Sequence, residues 1–190
     1  MQSIIVGVDE AGRGPLAGPV TVAAVILKKP IKGLNDSKKL SEKKRFDLED
    51  LIIKNALAFS VVHIDVEIIE EINILQASLL GMQKAVKKIT HNYDEILIDG
   101  NKCPYFDKPA RAIIGGDGKI AEISAASILA KNARDRLMCQ LDKEFPDYGF
   151  AQHKGYGTQL HLQQLQKHGP CKHHRKTFAP IQKLMQMEIF

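Results

Sequence analysis

Apolar and polar positions divide the chain into short blocks whose period changes along its length. Residues 3–8 and 20–27 are β-branched runs, and Gly12, Gly14, Pro15, Gly18 and Pro19 punctuate the stretch between them. This pattern predicts two buried strands around a loop. A basic turn containing Pro30 occupies residues 28–33. Ser41 is a natural N-cap, and Phe46, Leu48, Leu51 and Ile52 carry helical spacing over residues 41–55. Residues 58–64 predict a third strand. Over residues 66–89, Ile68, Ile69, Ile72, Leu75, Leu79, Met82 and Val86 form the core-facing stripe of a helix, which Gly81 weakens.

Two short apolar strands then end alike: Glu95-Ile96-Leu97-Ile98-Asp99-Gly100, and Ala112-Ile113-Ile114 followed by Gly115-Gly116-Asp117-Gly118. Residues 121–141 predict a helix whose small-residue run, Ser124-Ala125-Ala126-Ser127, lets its axis lie close to a sheet. Beyond Pro146 the chain is polar and His-rich, with a helix over residues 158–168 and a last short one from Pro180, a favoured first helical position. The order of elements predicts an α/β sheet covered by helices, with an antiparallel part where the first two strands adjoin. No repeat, low-complexity segment or linker interrupts it. Residues 1–190 therefore read as one domain, a core over about 1–145 and a C-terminal helical extension over about 146–190.

Composition narrows the class. The 190 residues are 44% hydrophobic and 26% charged, ordinary for a globular chain with a full core. No apolar run approaches the ~20 residues of a membrane helix, and the N-terminus lacks the basic region of a signal peptide. Three widely spaced cysteines (Cys103, Cys139, Cys171) argue against a disulfide framework and fit a reducing cytoplasm. The net charge of +5 is compatible with a polyanionic partner, and equally with simple solubility.

The candidate chemistry lies in four acids, Asp9, Glu10, Asp99 and Asp117, each placed where a strand ends and each followed closely by glycine. Any one of them alone is an ordinary turn residue. Together they converge at one sheet edge, and carboxylates crowded at low dielectric repel unless a cation intervenes. Hard oxygen donors with no Cys/His set among them suit Mg²⁺ or Mn²⁺. Two such ions about 3.5–4 Å apart can clamp the attacking water and the leaving oxygen of a phosphodiester. Asp9 and Glu10 are neighbours, and neighbours in a regular strand face opposite sides. Both reach one cluster only if the strand bends or ends there, a freedom that Gly12 and Gly14 supply. The Gly12-Arg13-Gly14 loop leaves bare backbone N–H groups, and Arg13 can pair with a phosphate; the same tripeptide also makes a plain tight turn.

At this point a family resemblance is visible. Asp9-Glu10-Ala11-Gly12-Arg13-Gly14-Pro15-Leu16-Ala17-Gly18-Pro19-Val20 resembles the opening motif of the type 2 ribonucleases H, ribonuclease HII, in its bacterial form. Further segments resemble the family in the same order: Asp36-Ser37-Lys38-Lys39-Leu40, Ile72-Asn73-Ile74-Leu75, Ile98-Asp99-Gly100-Asn101, Gly116-Asp117, Ser124-Ala125-Ala126-Ser127-Ile128-Leu129-Ala130-Lys131, His153-Lys154-Gly155-Tyr156-Gly157-Thr158 and His174-Arg175-Lys176-Thr177-Phe178. Type 3 enzymes share the acids but usually have Lys where Arg13 stands and carry an extra N-terminal domain. The resemblance implies a ribonuclease H-like fold, a mixed five-stranded sheet flanked by helices. It implies metal binding by Asp9, Glu10, Asp99 and Asp117, with Asp117 completing the set or orienting water. It also implies that Gly12, Arg13 and Gly14 read a ribonucleotide 2′-OH, with Tyr156 stacking near the RNA–DNA junction; a loop-packing tyrosine is the alternative. The implied substrates are RNA/DNA hybrids and duplex DNA containing ribonucleotides, cut to 3′-hydroxyl and 5′-phosphate ends. A nuclease of DNA junctions or single strands, or a hybrid-binding module without cleavage, are the other classes; four intact acids speak against the module.

Secondary features remain two-sided. Lys38, Lys39, Lys43, Lys44 and Arg45 form either a solvated helix face or a phosphate contact. Ser124, Ser127 and Lys131 share a helix face that could meet substrate, and tight helix–sheet packing explains the serines equally well. Cys171, His173 and His174 lack the four-ligand spacing of structural zinc, so Lys172, Arg175 and Lys176 beside them read as a basic substrate-facing loop or plain surface. Gln186-Met187-Glu188-Ile189-Phe190 is similar to the C-terminal peptide by which bacterial replication proteins bind the sliding clamp; the end of an amphipathic helix packed on the domain is the preferred reading. A monomer is the default.

Overall fold

The β-branched runs become the strands of one sheet. In the computed structural model, which describes residues 3–34 and 40–187, these are β1 (Ile5–Ala11), β2 (Val20–Leu27), β3 (Ala56–Ile64), β4 (Glu95–Asp99) and β5 (Ala110–Ile113). Their order is β3-β2-β1-β4-β5. The short loop after β1 returns the chain as an antiparallel neighbour, β3 pairs antiparallel to β2, a long crossover containing the helix Val66–Lys87 brings β4 in parallel to β1, and an irregular connection over residues 100–109 brings β5 in parallel to β4. The mixed five-stranded sheet flanked by helices is the fold expected. Lys38, with most of the segment around it, and residues 188–190 of the C-terminal peptide lie outside the described residues.

Two helical layers cover the sheet. Val6, Val8, Val22 and Ile64 on one face pack with Ile69, Met82 and Val86 of α2 (Val66–Lys87). On the other face Ala23, Val25 and Leu27 meet Leu48 and Ile52 of α1 (Glu42–Asn55) and Ala125, Ile128 and Leu129 of α3 (Ala121–Glu144). The small-residue run does bring α3 close: a Cβ on Gly7 of β1 would lie 2.2 Å from the Glu122 backbone carbon. Gly81 has a similar reason to be there, since a Cβ would fall 2.6 Å from Val22 Cγ2; the propensity it costs allows α2 to sit down on β2. Ser41 caps α1 through its hydroxyl, which accepts from Lys44 N–H.

Three expectations need correction. The strand predicted to stop at Val8 runs on to Ala11, so Asp9 and Glu10 lie inside β1, paired with Ala23 and Val22. The helix over 66–89 is broken at Asn73, whose φ of 66° and ψ of 165° interrupt it; its side-chain oxygen accepts from Leu75 and Gln76 N–H and restarts the helix. Finally, Arg45 is no part of a solvated basic face. It is buried, donating to Asp135 at 3.0 Å and to Asn132 at 3.2 Å on α3.

The C-terminal extension builds a third, separate cluster. Leu16 and Ala17 from the β1–β2 loop pack with Met138 and Leu141 of α3, Tyr148 and Phe150. Phe150 opens α4 (Phe150–His153), Leu165 lies on α5 (Gln159–His168) and Ile181 on α6 (Ala179–Met187). Backbone bonds from Leu16 N to Gly155 O, Gly18 N to His173 O and Arg175 N to Leu16 O stitch this extension to the loop.

Candidate active site

Register decides which acids meet. Val8 pairs with Ile98 across the parallel β1–β4 ladder, so Asp9 and Asp99 follow side by side. Asp9 falls on the same face as Gly7, toward α3, by strand alternation. Asp117 arrives from a short 3₁₀ turn, Gly116–Gly118, beyond β5, not from a strand end. That turn is tied to β4 because Asp99 Oδ1 accepts from Gly116 N–H at 2.7 Å and Asp117 N–H at 3.3 Å. Among the described residues, Asp9, Asp99 and Asp117 each bring one carboxylate oxygen to within 4.8 Å of the other two. Strand alternation points the Glu10 Cβ to the other side of β1 from Asp9, yet its charge still acts on Asp9 and its side chain lines the cleft that Asp99 shares.

Burial makes the trio electrostatically costly. Asp9 is 5% exposed. Desolvation, with the charges of Glu10 and Asp99 adding, holds its carboxyl well above the usual carboxylate range; hydrogen bonds from the Ser127 hydroxyl and Glu10 N–H oppose this only in part. Three converging carboxyls of this kind either take up protons or take up a cation. The donor set is all hard oxygen, so the residues fit Mg²⁺ or Mn²⁺ and not zinc.

A cleft of about 430 Å³ opens beside the trio, lined by Glu10, Gly12, Arg13, Gly14, Asp99, Lys131 and Tyr156 among others. Arg13 Nη1 lies 3.4 Å from Glu10 Oε1, with the arginine about half exposed. The Tyr156 ring closes over Gly14: a Cβ on Gly14 would sit 4.0 Å from its Cε1. Lys131 stands 5.8 Å from the centre of that ring and donates to Asp135 at 2.7 Å. Thus Gly12, Arg13, Gly14, Tyr156 and Lys131 share one cleft with Glu10 and Asp99.

Ser124 does not reach it. Its side chain is buried and donates to the backbone carbonyls of Asp117 and Ile120, the packing position rather than the substrate-facing one. His174 and Arg175 are likewise buried, not parts of a surface loop. Two residues that support the site, Arg134 and His161, carry no expectation from the sequence, and Arg175 is expected there only as part of a basic loop. Arg134 donates to the carbonyls of Pro19, Ala17 and Lys154, and Arg175 to those of Gly12, Arg13 and Gly18. A signal for Arg134 existed, since it continues the helical spacing of Ile123, Ala130, Met138 and Leu141 on the buried side of α3. Nothing comparable marks His161.

The sequence profile of the family "Ribonuclease HII" matches residues 6–181. The chain belongs to the ribonuclease HII family. Solved structures agree on the fold. Ribonuclease H2 from Pyrococcus horikoshii OT3 superposes with a TM-score of 0.80 at 24% identity, covering 96% of this chain and 97% of that one. The Archaeoglobus fulgidus RNase HII solved as a complex with PCNA gives 0.77 at 23% identity, covering 98% and 100%. Bst-RNase HIII in complex with Mn²⁺ gives 0.71 at 17% identity, covering 97% of this chain and 70% of that one. The protein is therefore a metal-dependent ribonuclease H, an endoribonuclease of RNA/DNA hybrids that uses divalent metal.

Proposed function

We propose that this ribonuclease HII also incises duplex DNA at single embedded ribonucleotides, leaving 3′-hydroxyl and 5′-phosphate ends, and does so with two divalent ions. The observation that carries the reading is the adjacency of the buried Asp9, Asp99 and Asp117 trio to the cleft holding loop 12–14 and Tyr156. Asp9, Asp99 and Asp117 would hold one ion; Glu10, which lines the cleft with Asp99, would hold the second. The Mn²⁺ complex of Bst-RNase HIII supports a divalent metal in this fold. When bound, the ions lower the pKa of water and offset the charge of the scissile phosphate.

The remaining work belongs to the protein. The Arg13–Glu10 pair is partly exposed, and such pairs hold weakly, so Arg13 can exchange the carboxylate for a phosphate at little cost. The glycines beside it let a sugar approach the backbone between Gly14 and the Tyr156 ring. The 2′-OH is the group that separates RNA from DNA, and backbone groups can sense it without reading base sequence. Lys131, held by Asp135, adds positive charge near the ring. Ser124 positions Asp117 through its carbonyl, and Ser127 steadies Asp9.

The test is a DNA duplex with one ribonucleotide, incubated with Mg²⁺ or Mn²⁺ beside an all-DNA control. Incision only at the ribonucleotide is expected. Equal cutting of both duplexes would refute 2′-OH sensing, and cutting confined to continuous hybrids would remove the single-ribonucleotide activity.

A sliding-clamp contact through the C-terminal peptide is a second proposal, supported by the PCNA complex of the Archaeoglobus neighbour and by the apolar pair Ile189-Phe190. Deleting residues 186–190 should abolish clamp binding in a pull-down while hybrid cleavage continues; undiminished binding rejects it.

A further inference from the structure

Two parts of the cleft come from distant parts of the chain, loop 12–14 and Tyr156, and one buried dipeptide reaches both. Arg175 is fully buried. Its guanidinium is aimed at backbone rather than at any carboxylate: Nη1 donates to Arg13 O at 2.9 Å, Nη2 to Gly12 O at 2.6 Å and Gly18 O at 2.7 Å, and Nε to Gly18 O at 3.0 Å. A planar fork with several donors fits converging carbonyls in a way that a single ammonium does not. The carbonyl edge of the loop is thus occupied by protein, which leaves its opposite edge to face the cleft.

His174, the preceding residue, reaches the other half through a histidine pair. Its Nδ1 lies 3.0 Å from Cys171 N–H, its Nε2 lies 3.0 Å from His161 Nε2, and His161 Nδ1 lies 2.9 Å from the carbonyl of Tyr156. The terminal partners fix the direction of every bond. A backbone N–H can only donate, so His174 Nδ1 accepts and its proton sits on Nε2. A carbonyl can only accept, so His161 carries its proton on Nδ1 and accepts at Nε2. The chain Cys171 N–H to His174 to His161 to Tyr156 C=O is complete only when both rings are neutral. Burial keeps them so, pushing His161 down to about 4 and His174 to about 3.

We propose that His174-Arg175 is a two-armed positioning device that sets the width of the ribonucleotide-reading slot, with Arg175 fixing loop 12–14 and His174, through His161, fixing Tyr156. This rests on the reading of that slot as the 2′-OH sensor. Neither residue touches substrate. Their effect is on the distance between two parts that do, where small displacements carry large consequences.

The test measures binding in EDTA, where no cleavage occurs, for a duplex with one ribonucleotide and for the all-DNA duplex. Arg175→Lys keeps the charge and loses the fork; His161→Phe keeps the ring and loses both bonds; His161→Asn restores a donor near the position of Nδ1. We expect Arg175→Lys and His161→Phe to lose about tenfold in preference for the ribonucleotide duplex while affinity for all-DNA changes less than about twofold, and His161→Asn to recover part of the loss. Equal weakening toward both duplexes, or retained preference, overturns the proposal. Should these variants not fold, the long-range ¹⁵N–¹H spectrum of the wild-type imidazoles decides: protons on His161 Nδ1 and His174 Nε2 support the chain, and the opposite tautomers overturn it. A wild type with no preference would instead fell the reading of the slot, and the same spectrum would still judge the wiring.

Discussion

Asp9→Asn is expected to lower hybrid cleavage about a thousandfold or more, a loss of about 4 kcal/mol of transition-state stabilisation, while hybrid binding stays within a few-fold. The same substitution should raise the melting temperature of the metal-free protein. The sign follows from the trio. Burial and the neighbouring charges of Glu10 and Asp99 hold the Asp9 carboxyl well above its ordinary range, so its folded-state pKa exceeds the unfolded one. Stability from such a group is fully present below the unfolded pKa and is lost as pH rises through the folded value. At neutral pH and without metal, Asp9 is therefore a liability, and asparagine removes its charge. A bound cation reverses the balance, so Mg²⁺ or Mn²⁺ should raise the wild-type melting temperature and raise that of Asp9→Asn much less. Thermal unfolding in EDTA and across a metal titration, beside single-turnover cleavage, reads all three effects. A fully active variant removes Asp9 from the metal site. A variant less stable than wild type in EDTA rejects the electrostatic account.

The two-sided character of Asp9 explains what could and could not be read along the chain. The β-branched runs announced the strands because apolar pattern and buried sheet are the same physical fact. The end of β1 was placed too early, since the apolar signal stops at Val8 while the ladder continues: Asp9 and Glu10 pair through their backbones with Ala23 and Val22, and backbone pairing is indifferent to side-chain charge. That error mattered for the site. With Asp9 and Glu10 inside a strand, alternation points them to opposite sides, and the tightest group of carboxylate oxygens is that of Asp9, Asp99 and Asp117, with Glu10 reaching the cleft beside it. Which acids meet is a question of register, which no single segment contains.

The support behind the cleft was less legible still. His161, His174 and Arg175 look like surface residues because polarity ordinarily means exposure. Arg175 is buried because the β1–β2 loop presents a set of carbonyls with no strand to satisfy them, and His161 and His174 because the Tyr156 carbonyl and the Cys171 N–H need partners; buried backbone groups demand them. The cause lies some 160 residues away in sequence from Arg175, as its bond to Gly12 records. Arg134 answers the same demand from α3, and its place on the apolar stripe was the one local hint.

The two glycines flanking Arg13, which read alike in sequence, should therefore behave oppositely. Gly12 is buried with φ near +96°, and a Cβ there would lie 2.0 Å from Arg134 Nε and 2.9 Å from Pro19 O. Arg134 cannot withdraw, because it is fully buried and holds three carbonyls. Left-handed strain and overpacking then add, so Gly12→Ala should cost about 3 kcal/mol or more and lower the melting temperature by about 10 °C. Gly14 is exposed, and its nearest neighbour to a new Cβ is Tyr156 Cε1 at 4.0 Å, an ordinary contact. Gly14→Ala should leave the melting temperature within about a degree, because no mechanism of large destabilisation acts there. It should nonetheless weaken binding of a ribonucleotide-containing duplex about tenfold, since the methyl group intrudes between the loop and the ring where the sugar must pass. Melting curves and binding of both variants separate the two roles. A stable Gly12→Ala would show that Arg134 is not the rigid wall described, and unaltered binding by Gly14→Ala would place the sugar elsewhere than between Gly14 and Tyr156.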